Sequence, residues 1–177
     1  MSDFFELVNK RESCRAYNTK EVEKEKLIKC IEAARLSPSA CNSQPWTFVV
    51  ATGEKGKEVA KCTQKSGINK FTDNCPAFIV IIEEQASLSS KIAEVVTSQH
   101  YAQIDIGIVA THICYAALEQ GLSTCILGWF DEKKLADAVN VPKSKKIRLV
   151  ISVGYAENDS LRTKKRKDLD DILTFIE

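Results

Sequence analysis

The sequence predicts a single domain of alternating helices and strands, and three observations carry that expectation. Its 177 residues fit one domain and can bury a sizeable core. Helix-period and strand-period apolar patterns succeed one another along most of the chain. One run, from about Gln103 to Gln120, is apolar on nearly every side, and such a helix must be buried on nearly every side. In so small a domain, that favours a helix shared with a partner subunit.

Each element follows from local chemistry. A short helix is expected over Ser2 to Lys10, with Ser2 or Asp3 as its cap and Phe4, Leu7 and Val8 on one face. A second runs from about Lys24 to Leu36, its stripe formed by Leu27, Ile28, Ile31 and Ala34, with Cys30 beside them. Thr47 to Thr52 is rich in β-branched and aromatic residues and reads as a strand. A Lys- and Glu-rich helix follows, ending near Gln64. Phe78 to Ile82 is fully apolar between Pro76 and Glu83-Glu84, the pattern of a central strand. The stretch Gln85 to Gln103 is short and polar. Gly121 stops the long apolar helix as a C-cap. Ser123 to Leu127 and Ile147 to Val153 supply two more strands, with a helix from about Glu132 to Val139 between them. The tail, Tyr155 to Glu177, is charged but ends in Leu169, Ile172, Leu173 and Ile176, so it is expected to dock rather than float.

Composition narrows the function classes. Hydrophobic content of 44% with 28% charged residues is ordinary for a soluble globular protein. A net charge of +1 gives no broad basic field for nucleic acid. No eighteen-residue apolar window predicts a membrane span, and the acidic start is unlike a secretory signal, so the expected location is cytoplasmic. The seven cysteines contain no C-x-x-C pair, and the two histidines complete no zinc-site spacing. They read as reduced thiols, mostly small buried hydrophobes. Cys41 differs by lying in a polar loop, but nothing adjacent in sequence would lower its pKa. No G-x-S-x-G motif is present, and neither histidine stands in a base context.

Four segments carry possible chemistry. Ser37-Pro38-Ser39-Ala40-Cys41-Asn42-Ser43-Gln44-Pro45-Trp46 is richer in donors and acceptors than a helix-to-strand connection requires. Its prolines would stiffen it, although alone it could be an ordinary loop. Arg11-Glu12-Ser13-Cys14-Arg15 sets two guanidinium groups around a hydroxyl, a pattern suited to phosphate or to a solvated surface. Lys164-Lys165-Arg166-Lys167 is a second basic cluster, readable as a solvated face or a weak nucleic-acid patch. Gly121 to Phe130 carries a strand that ends at Gly128, where backbone amides could approach a planar ligand, or where the chain simply turns.

Taken in order, these segments resemble the nitroreductase family of FMN-dependent flavoproteins. The matching pieces are Arg11-x-Ser13-x-Arg15, Ser37-Pro38-Ser39-Ala40-x-Asn42-x-Gln44-Pro45-Trp46, Gly121-Leu122-x-Thr124-Cys125-x-x-Gly128-Trp129-Phe130, and Arg166-Lys167. The resemblance spans essentially the whole chain as one domain. It implies an α+β fold with a central, mostly antiparallel sheet flanked by helices. It also implies a homodimer with the long buried helix at its interface, two FMN sites there, and the 155–177 tail docked on the partner.

The same resemblance suggests residue roles. Arg11, Ser13 and Arg15 would hold the FMN phosphate, helped by Arg166 and Lys164 from the tail. Pro38, Ser39 and Ala40 would line the isoalloxazine, from the same or the other subunit. Asn42 and Gln44 would address the ribityl chain or pyrimidine edge. The Leu127 amide would point toward flavin N5 with Gly128 beside it, and Asn69 would be a further ring contact. No side chain need act as a general base, because FMN carries the chemistry. NAD(P)H would reduce the flavin and leave before a small acceptor, such as a nitroaromatic or quinone, enters. Glu12 departs from the family, where many members carry a basic residue. Larger members insert helices where this chain has only Gln85 to Gln103. Two alternatives remain at this point: a non-catalytic FMN storage or redox-sensing protein, and a nucleic-acid or partner-binding module using Lys164 to Lys167.

Overall fold

The computed structural model describes residues 3–158 and 160–177. Four antiparallel strands form its sheet: β1 (Trp46–Thr52), β2 (Ala77–Glu83), β3 (Ser123–Leu127) and β4 (Lys146–Gly154), in the order β1-β2-β4-β3. Among the described residues six α-helices accompany it: α1 (Phe4–Lys10), α2 (Lys24–Arg35), α3 (Gly53–Thr63), α4 (Leu88–Thr97), α5 (Tyr101–Glu119) and α6 (Glu132–Ala138).

The apolar run that predicts a central strand shows why it is central. Ala77, Ile79 and Ile81 enter one core with α2 and α5, whereas Phe78, Val80 and Ile82 enter a second core with α3 and α6. Alternate side chains of a strand point to opposite faces, so a strand covered on both faces must be apolar throughout. Burying each large side chain here stabilises the fold by about 1.5–3 kcal/mol. The register slips between Ile81 and Ile82, leaving Arg148 of β4 as the extra residue. Across this bulge Ile147 joins the second core while Leu149 packs on the first. Arg148 is held by a charge-assisted bond to Glu83.

Asp3 caps α1 by accepting from the Phe5 amide, whereas Ser2, the other expected cap, lies outside the described residues. The stretch expected to be short and polar contains α4. Ser87 caps this helix by accepting from the Ser90 amide. Its Leu88, Ile92, Val95 and Val96 share one face and are 58–83% exposed, while Ser90 is buried. This inverted amphipathicity explains why no core-facing pattern marked it. Helix α5 begins two residues before its expected start. It buries Ile106, Val109, Ala110, Ile113 and Ala117 against α2 and the sheet, yet leaves Ile104 half exposed. By length and composition α5 could span a membrane, but its buried stripe belongs to the core around the sheet.

The segment after α1 is sewn to the sheet. Ser13 bridges Thr124 in parallel, and the Cys14 amide donates to the Thr124 carbonyl at 2.9 Å. Tyr17 bridges Ala156, and its buried hydroxyl lies 2.9 Å from Ser152 Oγ. Gly154 permits this close approach. A Cβ there would stand 2.7 Å from the Pro76 ring and 3.0 Å from the Tyr17 ring.

Candidate functional site

A cleft of about 750 Å³ opens where this sewn segment meets β3 and the C-terminal end of α5. Arg11, Ser13 and Arg15 all line it, together with Lys10, Thr124 and Arg162. Ser13 and Arg15 come together because the extended segment 13–17 is bridged to Thr124 of β3 at one end and to Ala156, just after β4, at the other, not because a helix presents them. Buried Cys14 and Cys114 line the cleft, and buried Cys125 lies on β3 beside Thr124. Burial raises the Cys114 thiol, although Thr124 and Arg11 pull it back; Cys125 is likewise raised by burial, against Arg15, Ser13 and Arg162. The arginines therefore enrich the cleft in positive charge without creating thiolates.

Arg162 is the functional candidate that the motif reading missed. Its backbone amide donates to Glu12 at 3.1 Å, and its guanidinium reaches Glu12 at 3.4 Å and the Ser13 carbonyl at 2.7 Å. The only sequence signal was an arginine two positions before the basic tetrad. Of the two tail residues assigned to phosphate, Lys164 donates to the Asn9 carbonyl and Arg166 turns back to the Lys165 carbonyl at 2.7 Å. Neither lines the cleft.

The polar loop lies elsewhere. Residues Ala40–Asn42 form a single 3₁₀ turn, and Cys41, Asn42 and Gln44 all have left-handed backbone, with φ of 52°, 49° and 46°. Ser39 Oγ accepts from the Gln44 amide at 3.0 Å, and the Gln44 side chain bonds Asn42. The Ala40 amide donates to Asp105 near the start of α5, with both carboxylate oxygens at 3.2 Å. Asp105 stands nine to thirteen residues before Cys114 and Leu118, the α5 residues that line the cleft. At 1.5 Å per residue, this separation is roughly 14–20 Å. Within one chain, therefore, the basic segment and the Pro38–Gln44 loop occupy opposite ends of one helix. Asp105 was hidden by its setting, a lone carboxylate in an otherwise apolar run.

A third group gathers at the far end of β3. Asn69, itself left-handed at φ 57°, donates to the Thr63 carbonyl at 3.1 Å and to the Trp129 carbonyl at 3.4 Å. Trp129 returns a bond from its indole to the Lys65 carbonyl. Asn69 is thus fastened beside Leu127 and Gly128. A Cβ at Gly128 would meet only the Leu149 side chain, at 4.0 Å, so this chain leaves open the space above that backbone. Thr124 in the cleft and Leu127 here are three strand residues apart, about 10 Å. Two guanidinium groups with a hydroxyl at one end of an edge strand, and open backbone at the other, fit a phosphate joined to a flat ring system.

The nitroreductase family model matches residues 8–63 and 54–155. A Streptococcus pyogenes protein named as an NAD(P)H nitroreductase is 28% identical, covering 87% of this chain and 90% of its own length. Among solved structures, a nitroreductase family protein from Streptococcus pneumoniae superposes with a TM-score of 0.83 at 26% identity, covering 98% of this chain and all of its own. An FMN-dependent nitroreductase from Clostridium difficile is 30% identical with a TM-score of 0.71, covering 96% of this chain and 94% of its own.

Proposed function

Because the chain belongs to the nitroreductase family, we propose that it is an FMN-dependent oxidoreductase. It takes reducing equivalents from NADH or NADPH and delivers them to small acceptors such as nitroaromatics or quinones, one substrate leaving before the next enters. The observation that carries this reading is the basic cleft at the start of β3, where Arg11, Ser13 and Arg15 converge. A phosphate monoester bears nearly two negative charges, and each charge-assisted bond to it contributes about 1.5–3 kcal/mol. Arg162 joins those donors, and Lys164 and Arg166 would have to turn from their present carbonyl partners to do so.

Bound FMN supplies the electron and hydride chemistry, leaving the protein to orient the ring and tune its surroundings. The Leu127 amide and Gly128 would address the reactive edge, with Asn69 at the ring. Pro38, Ser39 and Ala40 would cover a ring face, while Asn42 and Gln44 would reach its pyrimidine edge or ribityl chain. Since the loop and cleft of one chain lie at opposite ends of α5, each site would take its loop from the partner of a cytoplasmic homodimer. Exposed Phe4, Phe5, Ile104 and the outer face of α4 provide apolar surface for that association. The tail from about 155 to 177 would dock on the partner through Leu169, Ile172, Leu173 and Ile176, all exposed in the single chain.

An absorption spectrum of the purified protein, recorded before and after anaerobic NADH and NADPH, tests the reading. Flavin bands that bleach with either nucleotide are expected. Bands that persist with both would favour storage or sensing, and a protein that takes up no FMN would overturn the assignment.

A further inference from the structure

Asp105 raises a physical question that the cofactor reading leaves open. Only 4% of it reaches solvent, and it is the one carboxylate in the apolar body of α5. Burial lifts its carboxyl above the ordinary aspartate range, the Ala40 amide pulls it back, and Glu94 opposes its charge. No cation relieves it among these influences. A buried carboxylate is costly unless its bonds accomplish something.

Its bond falls on a loop that needs help. Three non-glycine residues, Cys41, Asn42 and Gln44, hold left-handed backbone, which persists only when the surroundings enforce it. The bonds from the Asn42 amide to the Ser39 carbonyl and from the Gln44 amide to Ser39 Oγ close the loop on itself. They do not fix its height over the rest of the molecule. That is done by Asp105 at Ala40, by the Ser87 amide donating to Ser43 Oγ at 2.8 Å, and by the Glu84 amide donating to the Pro45 carbonyl. Asp105 is the tie nearest to Pro38, Ser39 and Ala40.

We propose that Asp105 is a positioning residue that, by gripping the Ala40 amide, sets how the Pro38–Gln44 loop meets the isoalloxazine. The assignment rests on the loop's place in the function proposed above. Asp105 acts through the loop and touches no flavin itself.

Riboflavin separates this role from phosphate binding, because it keeps the ring and ribityl chain but lacks the phosphate. Fluorescence titrations of the wild type, Asp105→Ala and Asp105→Asn with FMN and with riboflavin provide the test. Asp105→Ala should weaken both flavins by the same factor, about tenfold or more, as loss of a charge-assisted bond predicts. It should also shift the bound flavin's midpoint potential. Asp105→Asn, whose side-chain carbonyl can still accept from Ala40, should recover most of the affinity. Unchanged affinities in Asp105→Ala, even with a lower melting temperature, would overturn the proposal and leave a merely structural role. An Asn variant as weak as the Ala variant would overturn it as well. Arg15→Ala serves as the control and should weaken FMN but not riboflavin; its failure would strike the cofactor reading instead. Hydrogen exchange in the wild type needs no variant to fold. A protected Ala40 amide is expected, and its free exchange would overturn the proposal.

Discussion

Glu12 and Arg162 lie 150 positions apart, yet Arg162 meets Glu12 with both its backbone amide and its guanidinium. The pair folds the start of the tail onto the basic segment. It also offsets the one negative charge in that segment, which the family pattern made conspicuous. The carboxylate that ought to repel an anion instead holds another arginine beside it.

Removing that arginine should therefore weaken anion binding more than it weakens the fold. Arg162→Ala is expected to lower FMN affinity by about tenfold or more, because a cation is lost and Glu12 is left uncompensated. The pair is solvent-exposed on the Arg162 side, so stability should change by no more than about 1 kcal/mol. Adding Glu12→Gln should restore part of the affinity. Fluorescence titration and chemical denaturation separate the two effects, and equal losses in both would contradict this account.

Gly154→Ala should be destabilising by about 1–3 kcal/mol, since the new methyl would meet two rigid rings, those of Pro76 and Tyr17. Gly128→Ala makes no comparable contact within the chain and should leave stability nearly unchanged. Urea denaturation of both variants checks the contrast.

Thiol labelling of the native protein should report one fast cysteine. Cys41 is exposed, whereas Cys14, Cys30, Cys62, Cys75, Cys114 and Cys125 are buried. Burial pushes the Cys30 thiol up to about 11 and the Cys75 thiol up to about 12. Cys41→Ser should abolish the fast phase, and a second fast equivalent would show that a core opens readily.

Asp105 also predicts a pH dependence with a definite sign. Its folded carboxyl titrates above the ordinary aspartate value of about 3.9, mainly because it is buried. Between those two values the native state keeps a proton that the unfolded chain has released. Stability from this group therefore falls as pH rises through the window, and the full penalty stands above it. Glu6, Glu23, Asp73 and Glu84 act oppositely, each held low first by a hydrogen-bonding side chain. Those groups are shared with Asp105→Asn, so they cancel in a comparison. The melting temperature of the Asn variant should gain on the wild type as pH rises from below 4 toward neutrality.

The order of strands and core helices was legible because burial leaves periodic marks. Phe78 to Ile82 read as a central strand for the same reason that both of its faces are covered. Helix α4 left no such mark, since its apolar residues face outward and a serine faces in. The basic segment was recognisable from residue types close in sequence. Arg162 and Asp105 were not, because their meaning depends on Glu12 and Ala40, partners far away in the chain. Side chains whose purpose is a long-range tie look ordinary until the fold brings the tie together.

Helix α5 acts as a strut of fixed length between the Pro38–Gln44 loop and the basic cleft. Lengthening or shortening it would spoil the spacing of both ends at once. The connection from Gln85 to His100 touches this arrangement chiefly at its start, where the Ser87 amide donates to Ser43 Oγ, while the apolar residues of α4 face outward. An insertion beyond Ser87 would leave both ends of that strut where they are.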